Sequence, residues 1–327
     1  MSTQPYAEIA MNIIPSTFDE HKIPYTILKK NAGELNTELS VIVLNRGAKY
    51  YLFSLFQNLI SIGLNSIVFV GNSKRNLEFE SLSAEFPDIK FVTPAEEITT
   101  GEMINLGISE VSSEYVLVIW SDSRLMQSYS FDDLLKKLHQ KNYICVAPFL
   151  IDENNVPLPV QNVPSISASN FTTEQFPVKF DFTKTIYMFD FIGIYNRIKF
   201  IDAGGFDYTI KNPYWQNLDF GFRSHLYGSE IIISNNFKIK YASETPIENV
   251  SADDSYMTFY LKNLALSLGN NGIELSWKMF FHYAKKSGLN LFNAYKYFAK
   301  AAAWVKLNNK KINQEPAKLI SKWEPLV

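Results

Sequence analysis

Cysteine is almost absent from this 327-residue chain, and the one present, Cys145, excludes an internal disulfide. It lies in the apolar run YICVAPF, where a buried structural thiol is the expected role. Histidine is also sparse. His21, His139, His225 and His282 are scattered, with no Cys/His spacing of a zinc site, so any metal must rely on oxygen ligands. Such ligands suit magnesium or manganese. No apolar run approaches the roughly 20 residues that span a bilayer. The N-terminus has no basic start followed by an apolar stretch, so a cytoplasmic location is expected. Two phosphate-binding patterns are missing as well. Without G-x-G-x-x-G after the first strand, or G-x-x-x-x-G-K-[ST] anywhere, the usual dinucleotide fold and the P-loop are both disfavoured.

What the chain has in quantity is apolar and aromatic side chains. They make up 46% of it, with 25 Phe and 18 Tyr, enough for a large core and ring-lined clefts. After a polar prelude over 1–38, LSVIVLN (Leu39–Asn45), SIVFVGNS, IKFVTP, EYVLVIW and YICVAPF read as buried strands. Helical spacing separates them in YYLFSLFQNLISIG, and also in TTGEMINLGISEVSS, which opens on the capping-box pair Thr99 and Glu102. A further helix, SFDDLLKKLHQ, starts at a capping Ser130. This alternation predicts an open, mostly parallel α/β sheet flanked by helices, with ligands at the carboxyl ends of its strands. The stretch 152–184 reads as a long irregular segment. TIYMFDFIGIYN, SEIIIS and FKIKYAS resume strand character, and from Ser255 the chain reads as helical to its end. Three divisions follow: 1–38, a core domain over 39–254, and a helical extension over 255–327.

Two turns carry candidate chemistry. In WSDSRL, Asp122 ends a central strand, where a carboxylate faces the ligand crevice and can hold a cation bridging two phosphates; the plainer reading is an Asp capping a turn. In GGFD, Gly204 and Gly205 permit positive φ or close backbone approach, and Asp207 can bind sugar hydroxyls; the plainer reading is a tight turn. Further on, Asp219 and Arg223 stand four apart on one helix face, a favourable pair.

Taken in order, LSVIVLN, SIVFVGNS, WSDSRL, GGFD and WQNLDFGFRSHLYG resemble the nucleotide-sugar glycosyltransferases of the GT-A fold, above all the large family-two group, over residues 39–245. The resemblance implies transfer of a sugar from a nucleotide-diphospho-sugar to a glycan or glycolipid acceptor in surface-polysaccharide assembly, with Mn2+ or Mg2+ as cofactor. It assigns Asn45, Asn72, Ser121 and Asp122 to the nucleotide and metal, with Asp122 as the metal ligand. Gly204, Gly205, Asp207, Trp215 and Arg223 fall to the substrate.

The departures are as informative. Gly71, Asn72 and Ser73 replace the family's acidic pair, and Trp120 and Ser121 replace the first two positions of its D-x-D motif. The family's catalytic Glu-Asp step falls on Gln216 and Asn217. An inverting transferase needs a group that takes the acceptor's proton, and glutamine cannot take one. Asp207, Asp219 and Asp190 are the substitutes, Asp207 preferred because Asp219 pairs with Arg223. Glu244, Asp253 or Asp254 stand in for a later metal-binding His.

Charge is uneven. From Ser255 onward 11 Lys face 3 Glu, a net +8, against −10 for the rest. A stripe from Trp277 through Phe281, Leu291, Tyr295 and Phe298 to Val305, broken at Gly288 and Asn290, packs on the sheet with solvated lysines beside it. The sharper reading is contact with an anionic membrane surface carrying a lipid-linked acceptor. Nucleic acid is not an expected partner, since no recognisable module is present and the body is acidic. Two rival functions remain. One is a non-catalytic protein of this fold that binds a sugar, a nucleotide or a partner enzyme. The other is a nucleotidyltransferase, for which only LNRGAKYY offers a thin phosphate loop.

Overall fold

Six consecutive buried residues, LSVIVL, form the strand on which the rest is built. In the computed structural model, which describes residues 7–11, 21–29, 31, 37–46, 49–71, 76–126, 131–167, 170–269 and 272–323, two strands precede it. These are β1 (Ala7–Met11) and β2 (Pro24–Leu28), and LSVIVL itself is β3 (Leu39–Leu44). Helix α1 (Lys49–Ser61) then leads to β4 (Ile67–Val70), α2 (Asn76–Glu85) to β5 (Lys90–Pro94), and α3 (Thr100–Ser109) to β6 (Tyr115–Trp120). Each helix carries the chain back to the same edge, so β3 lies parallel to β4 and β6, and β4 to β5. Strands covered on both faces read as unbroken apolar runs, which is why these are legible in the sequence. Thr99 and Glu102 form the capping box expected of α3. Ser130 and Asn72 lie outside the described residues.

After β7 (Ser123–Leu125) and α4 (Phe131–Gln140), β8 (Tyr143–Ile151) buries Cys145 as expected. The segment expected to be irregular instead forms an antiparallel hairpin, β9 (Gln161–Ser167) with β10 (Asn170–Phe176), and the short β11 (Thr183–Lys184). Its Pro, Asn and Ser content hid a register that cross-strand pairing supplies. Only the end of TIYMFDFIGIYN is a strand, β12 (Gly193–Asn196); before it Phe189–Phe191 makes a 3-10 turn with Asp190 at φ 54°. Helices α5 (Arg197–Asp202) and α6 (Pro213–Leu226) precede β13 (Glu230–Tyr241), one strand where two were expected, with a break in register between Ser234 and Lys238. The sheet runs β1-β2-β5-β4-β3-β6-β12-β8-β13-β11, with β7 also on β13. Its parallel centre is interrupted by β12, antiparallel to both β6 and β8.

The C-terminal part is less uniformly helical than its spacing implies. Helix α7 (Asp254–Phe259) runs into a π-helical turn over Tyr260–Leu264, then a hairpin of β14 (Leu266–Gly269) and β15 (Gly272–Leu275). Helices α8 (Phe280–Ser287), α9 (Leu291–Asn308) and α10 (Pro316–Ser321) follow. Gly288, at φ 65°, ends α8 and the Asn290 side chain caps α9, the break read from the sequence. Leu218 and Phe222 of α6 share a core with Phe259, Phe298 and Trp304. The change at Ser255 is therefore one of composition, not of packing. Within the prelude, β1 and β2 belong to the sheet, since β1 pairs with β2 and β2 with β5.

Candidate functional site

At the carboxyl ends of β3 and β6 the backbone of Arg46 is held from both sides by Ser121. The Arg46 amide donates to Ser121 Oγ at 2.9 Å, and the hydroxyl donates to the Arg46 carbonyl. The guanidinium forks onto Asp122, Nε to Oδ2 at 3.1 Å and Nη2 to Oδ1 at 3.2 Å. Its other edge meets Asp190, Nη1 to Oδ1 at 3.0 Å and Nη2 to Oδ2 at 2.9 Å. The face of Arg46 lies 4.5 Å from the Trp120 ring centroid, and Trp120 Nε1 donates to the Asp190 carbonyl. Tyr241 donates to Asp190 Oδ2 at 2.9 Å and Ser243 to Asp122 Oδ2 at 2.6 Å. Burial pushes the Asp190 carboxyl up against the pull of Arg46 and Tyr241. The buried Oδ1 of Asn45, beside this cluster in the chain, has no hydrogen-bond partner among the described residues.

A divalent cation does not fit Asp122 as it stands. Both of its oxygens already accept hydrogen bonds, and no three His, Cys, Asp or Glu side chains converge to hold an ion among the described residues. Of the substitutes read from the sequence, Glu244 is exposed, and Asp253 caps α7 by accepting from the amides of Ser255 and Tyr256.

The residues expected to do chemistry on α6 lie inside the protein instead. Gln216 is fully buried. Its Oε1 accepts from the Gly101 amide at 2.8 Å, and its Nε2 donates to Thr99 Oγ1 and the Asp207 carbonyl. A Cβ on Gly101 would stand 2.6 Å from the Gln216 amide carbon, so the two helices meet there only because Gly101 has none. Asn217 donates to the Met188 carbonyl. Asp207 has no exposed surface, with Oδ1 accepting from Thr209 and Oδ2 3.0 Å from Lys262 Nζ.

Lys262 also reaches Asp219, which pairs with Arg223 at 3.0 Å and accepts from Asn263 at 2.7 Å. Burial pushes the Asp219 carboxyl up, but Lys262 and Arg223 outweigh it and hold it below the ordinary range. Arg223 Nη1 and Nη2 also donate to the carbonyls of Ala203 and Gly205, while its buried Nε has no hydrogen-bond partner among the described residues. Gly204 and Gly205 have φ of 86° and 61°, so the GGFD turn is one that glycine permits and Arg223 clamps. Trp215 donates to the Ser251 carbonyl and packs on Tyr256 and Phe259, its ring 4% exposed. The expected base and substrate contacts are therefore a buried ionic frame tying α6, the GGFD turn and the C-terminal part together.

A carboxylate outside every motif of the sequence borders an open cleft. Glu248, in the loop after β13, borders a cleft of about 510 Å3 lined also by Thr173, Gln175, Tyr187, Phe189 and Tyr214. Tyr187 donates to Glu248 Oε2 at 2.6 Å, and the orphaned hydroxyl of Thr245 lies in the same wall. Burial raises the Glu248 pKa to about 7, with Asp190 adding to it and Tyr187 opposing. The cleft and the Arg46 cluster are neighbours, since Phe189 lines one and Asp190 belongs to the other. No spacing signal marks Glu248. The signal for Arg46 was the tryptophan standing where an acid was expected.

No family model matches the chain, and no curated protein does. Solved structures do. Over 88% of this chain it superposes on the crystal structure of GalNAc-T7 with UDP, GalNAc and Mn2+ at a TM-score of 0.61 and 10% identity. This covers 56% of that chain, little more than half its length. TarS of S. aureus in complex with UDP-GlcNAc matches at 0.49 and 14% identity, over 84% of this chain and 74% of TarS 1-349. The mannosyltransferase PcManGT of Pyrobaculum calidifontis, in complex with GDP-Man and Mn2+, matches at 0.47 and 11% identity over 95% and 82%. With its mixed sheet and flanking helices, this chain has the GT-A nucleotide-sugar glycosyltransferase fold.

Proposed function

We propose that the protein transfers a sugar from a nucleotide-diphospho-sugar to a hydroxyl of a glycan or glycolipid acceptor, in surface-polysaccharide assembly. The donor's diphosphate would lie at the carboxyl ends of β3 and β6, beside Asn45 and Arg46, and the acceptor in the adjoining cleft. One observation carries this reading: an open cleft beside that sheet end holds a carboxyl group poised near neutrality, Glu248. As the acceptor oxygen bonds to the anomeric carbon, the bond to the diphosphate breaks, the nucleoside diphosphate departs and Glu248 takes the hydroxyl proton. Tyr187, bonded to Glu248, fixes the carboxylate's orientation.

The C-terminal surface supplies support for a lipid-linked acceptor. Phe281, Leu291, Phe292 and Tyr295 are more than half exposed, with Lys278, Lys285, Lys286 and Lys296 also at the surface. Rings that lie on an anionic bilayer, rimmed by lysines, have this composition. No described helix is long and apolar enough to cross a membrane.

A second reading, a binding protein without turnover, is favoured by the burial of Gln216, Asp207 and Asp219. A panel of UDP-, GDP-, CMP- and dTDP-sugars in thermal unfolding separates the two when paired with an assay for released nucleotide. A ligand at 100 times its Kd adds roughly 2.7 kcal/mol, an easily read shift. A shift with nucleotide release supports transfer. A shift without release under any acceptor supports a binding protein for the nucleotide-sugar, and no shift at all sinks transfer and leaves the partner-binding form of the second reading.

A further inference from the structure

The three residues at the metal-motif positions, the replacements Trp120 and Ser121 and the retained Asp122, all act on one side chain. Ser121 clamps the backbone of Arg46, Asp122 takes two of its N–H groups, and Trp120 lies against its face. Asp190, on its left-handed turn, closes the other edge. A guanidinium held in its own plane by two carboxylates and backed by an aromatic ring is a positioned cation. Burial lowers its pKa, but Asp190 and Asp122 outweigh that and raise it, so it stays charged at every working pH.

From this geometry we infer that Arg46 is the fixed cation of the donor site, and that the protein binds a nucleoside diphosphate without a divalent metal. A metal on Asp122 would have to displace the guanidinium and then sit beside it, cation against cation. Arg46 keeps 28% of its side chain accessible, enough for a phosphate oxygen to approach. Two carboxylates against one guanidinium leave the cluster short of one positive charge. Arg124 supplies it: its guanidinium donates to the carbonyls of Ser121, Ser123 and Tyr51, and the field of Asp122 reaches it. The four groups sum to neutrality before ligand arrives. Arg46 then meets the diphosphate, and no ion is recruited.

This inference rests on the donor-site reading above, and the test keeps the two apart. The whole chain is titrated calorimetrically with UDP, GDP, CDP and dTDP, first in EDTA and then in Mn2+. One of them is expected to bind in EDTA, with a Kd that Mn2+ changes by less than about threefold. Arg46→Lys, which keeps the charge but cannot fork onto two carboxylates, is expected to weaken that binding at least about tenfold. Binding that requires Mn2+ overturns the inference and leaves the transferase reading standing. Unchanged binding by a folded Arg46→Lys also overturns it. No binding in either buffer removes both. If the variant does not fold, the comparison of EDTA with Mn2+ on the native chain decides alone.

Discussion

Arg46 and Asp122 are 76 residues apart in sequence, and their side chains meet in a two-point fork of 3.1 and 3.2 Å. This pair joins β3 to β6 at the sheet's functional edge, with Asp190 as third member. Removing the cation strands two nearly buried carboxylates, which is costlier than never having had the pair. Arg46→Met is expected to lose about 3 kcal/mol of unfolding free energy. Adding Asp122→Asn to that variant should restore part of the loss. Denaturant titration of the two single variants and the double closes a mutant cycle, and additive losses would show that the two residues are not coupled.

Placing an acid at position 216 of α6 should not create a base. Gln216 donates to the Thr99 hydroxyl and the Asp207 carbonyl. A glutamate there would lose both donors and set a carboxylate oxygen against a carbonyl in a site without solvent. Gln216→Glu is expected to cost about 2 kcal/mol of stability and to leave the transfer rate no higher than before. A gain in rate would put the reacting base on α6 and displace Glu248 from the mechanism.

The fold was written in the sequence far more plainly than the site. Apolar runs such as LSVIVL and YVLVIW can be satisfied only by burial on both faces, and that constraint is local. Asp207 looks like a free acid in the sequence because its counter-charge, Lys262, comes 55 positions later, in a segment that reads as a basic tail. Arg46 is ordinary in LNRGAKYY until β6 is laid beside β3. Glu248 owes its raised pKa to the loss of solvent and to Asp190, neither of which has a spacing. Long-range ion pairs and desolvation belong to the assembled chain, so periodicity cannot show them.

Glu248 sets the expected pH profile. Its carboxyl is held at about 7, so the form that accepts a proton predominates only above that pH. The transfer rate should rise through pH 7 with the slope of one ionisation. In Glu248→Gln that limb should vanish and the rate fall by about 10²–10⁴. A rate in the variant within a few-fold of the native one would exclude Glu248 as the base.

His225 predicts the acid limb of stability. Burial holds its imidazole down to about 4, where Nε2 meets the Thr185 carbonyl at 2.9 Å and the ring packs edge-on to Trp323. The unfolded chain binds that proton near pH 6.5, so it takes up the proton before the folded chain does. This contribution is therefore complete above pH 6.5 and lost as pH falls towards 4. Its slope is at most about 1.4 kcal/mol per pH unit. Urea midpoints measured across that window should fall with pH in the native chain and less steeply in His225→Gln. Parallel slopes would mean that the ring already titrates normally in the folded state.

The lysine-rimmed rings of α8 and α9 make the last prediction. Phe281 and Phe292 are 76% and 77% exposed, and the rings of the half-exposed Trp277 and Tyr295 lie 5.8 Å apart. Each lysine near an anionic surface is worth about 1 kcal/mol at physiological ionic strength, and salt screens that attraction. The rings add a part that salt does not remove. The protein should sediment with phosphatidylglycerol vesicles and not with phosphatidylcholine, and less so as salt rises. Changing Lys278, Lys285, Lys286 and Lys296 to Glu should abolish sedimentation at low salt, where the repulsion is unscreened. Changing Phe281 and Phe292 to Ser should leave only weak binding that moderate salt removes completely. Equal sedimentation with both lipids would mean that the charge of this surface has no part in where the protein works.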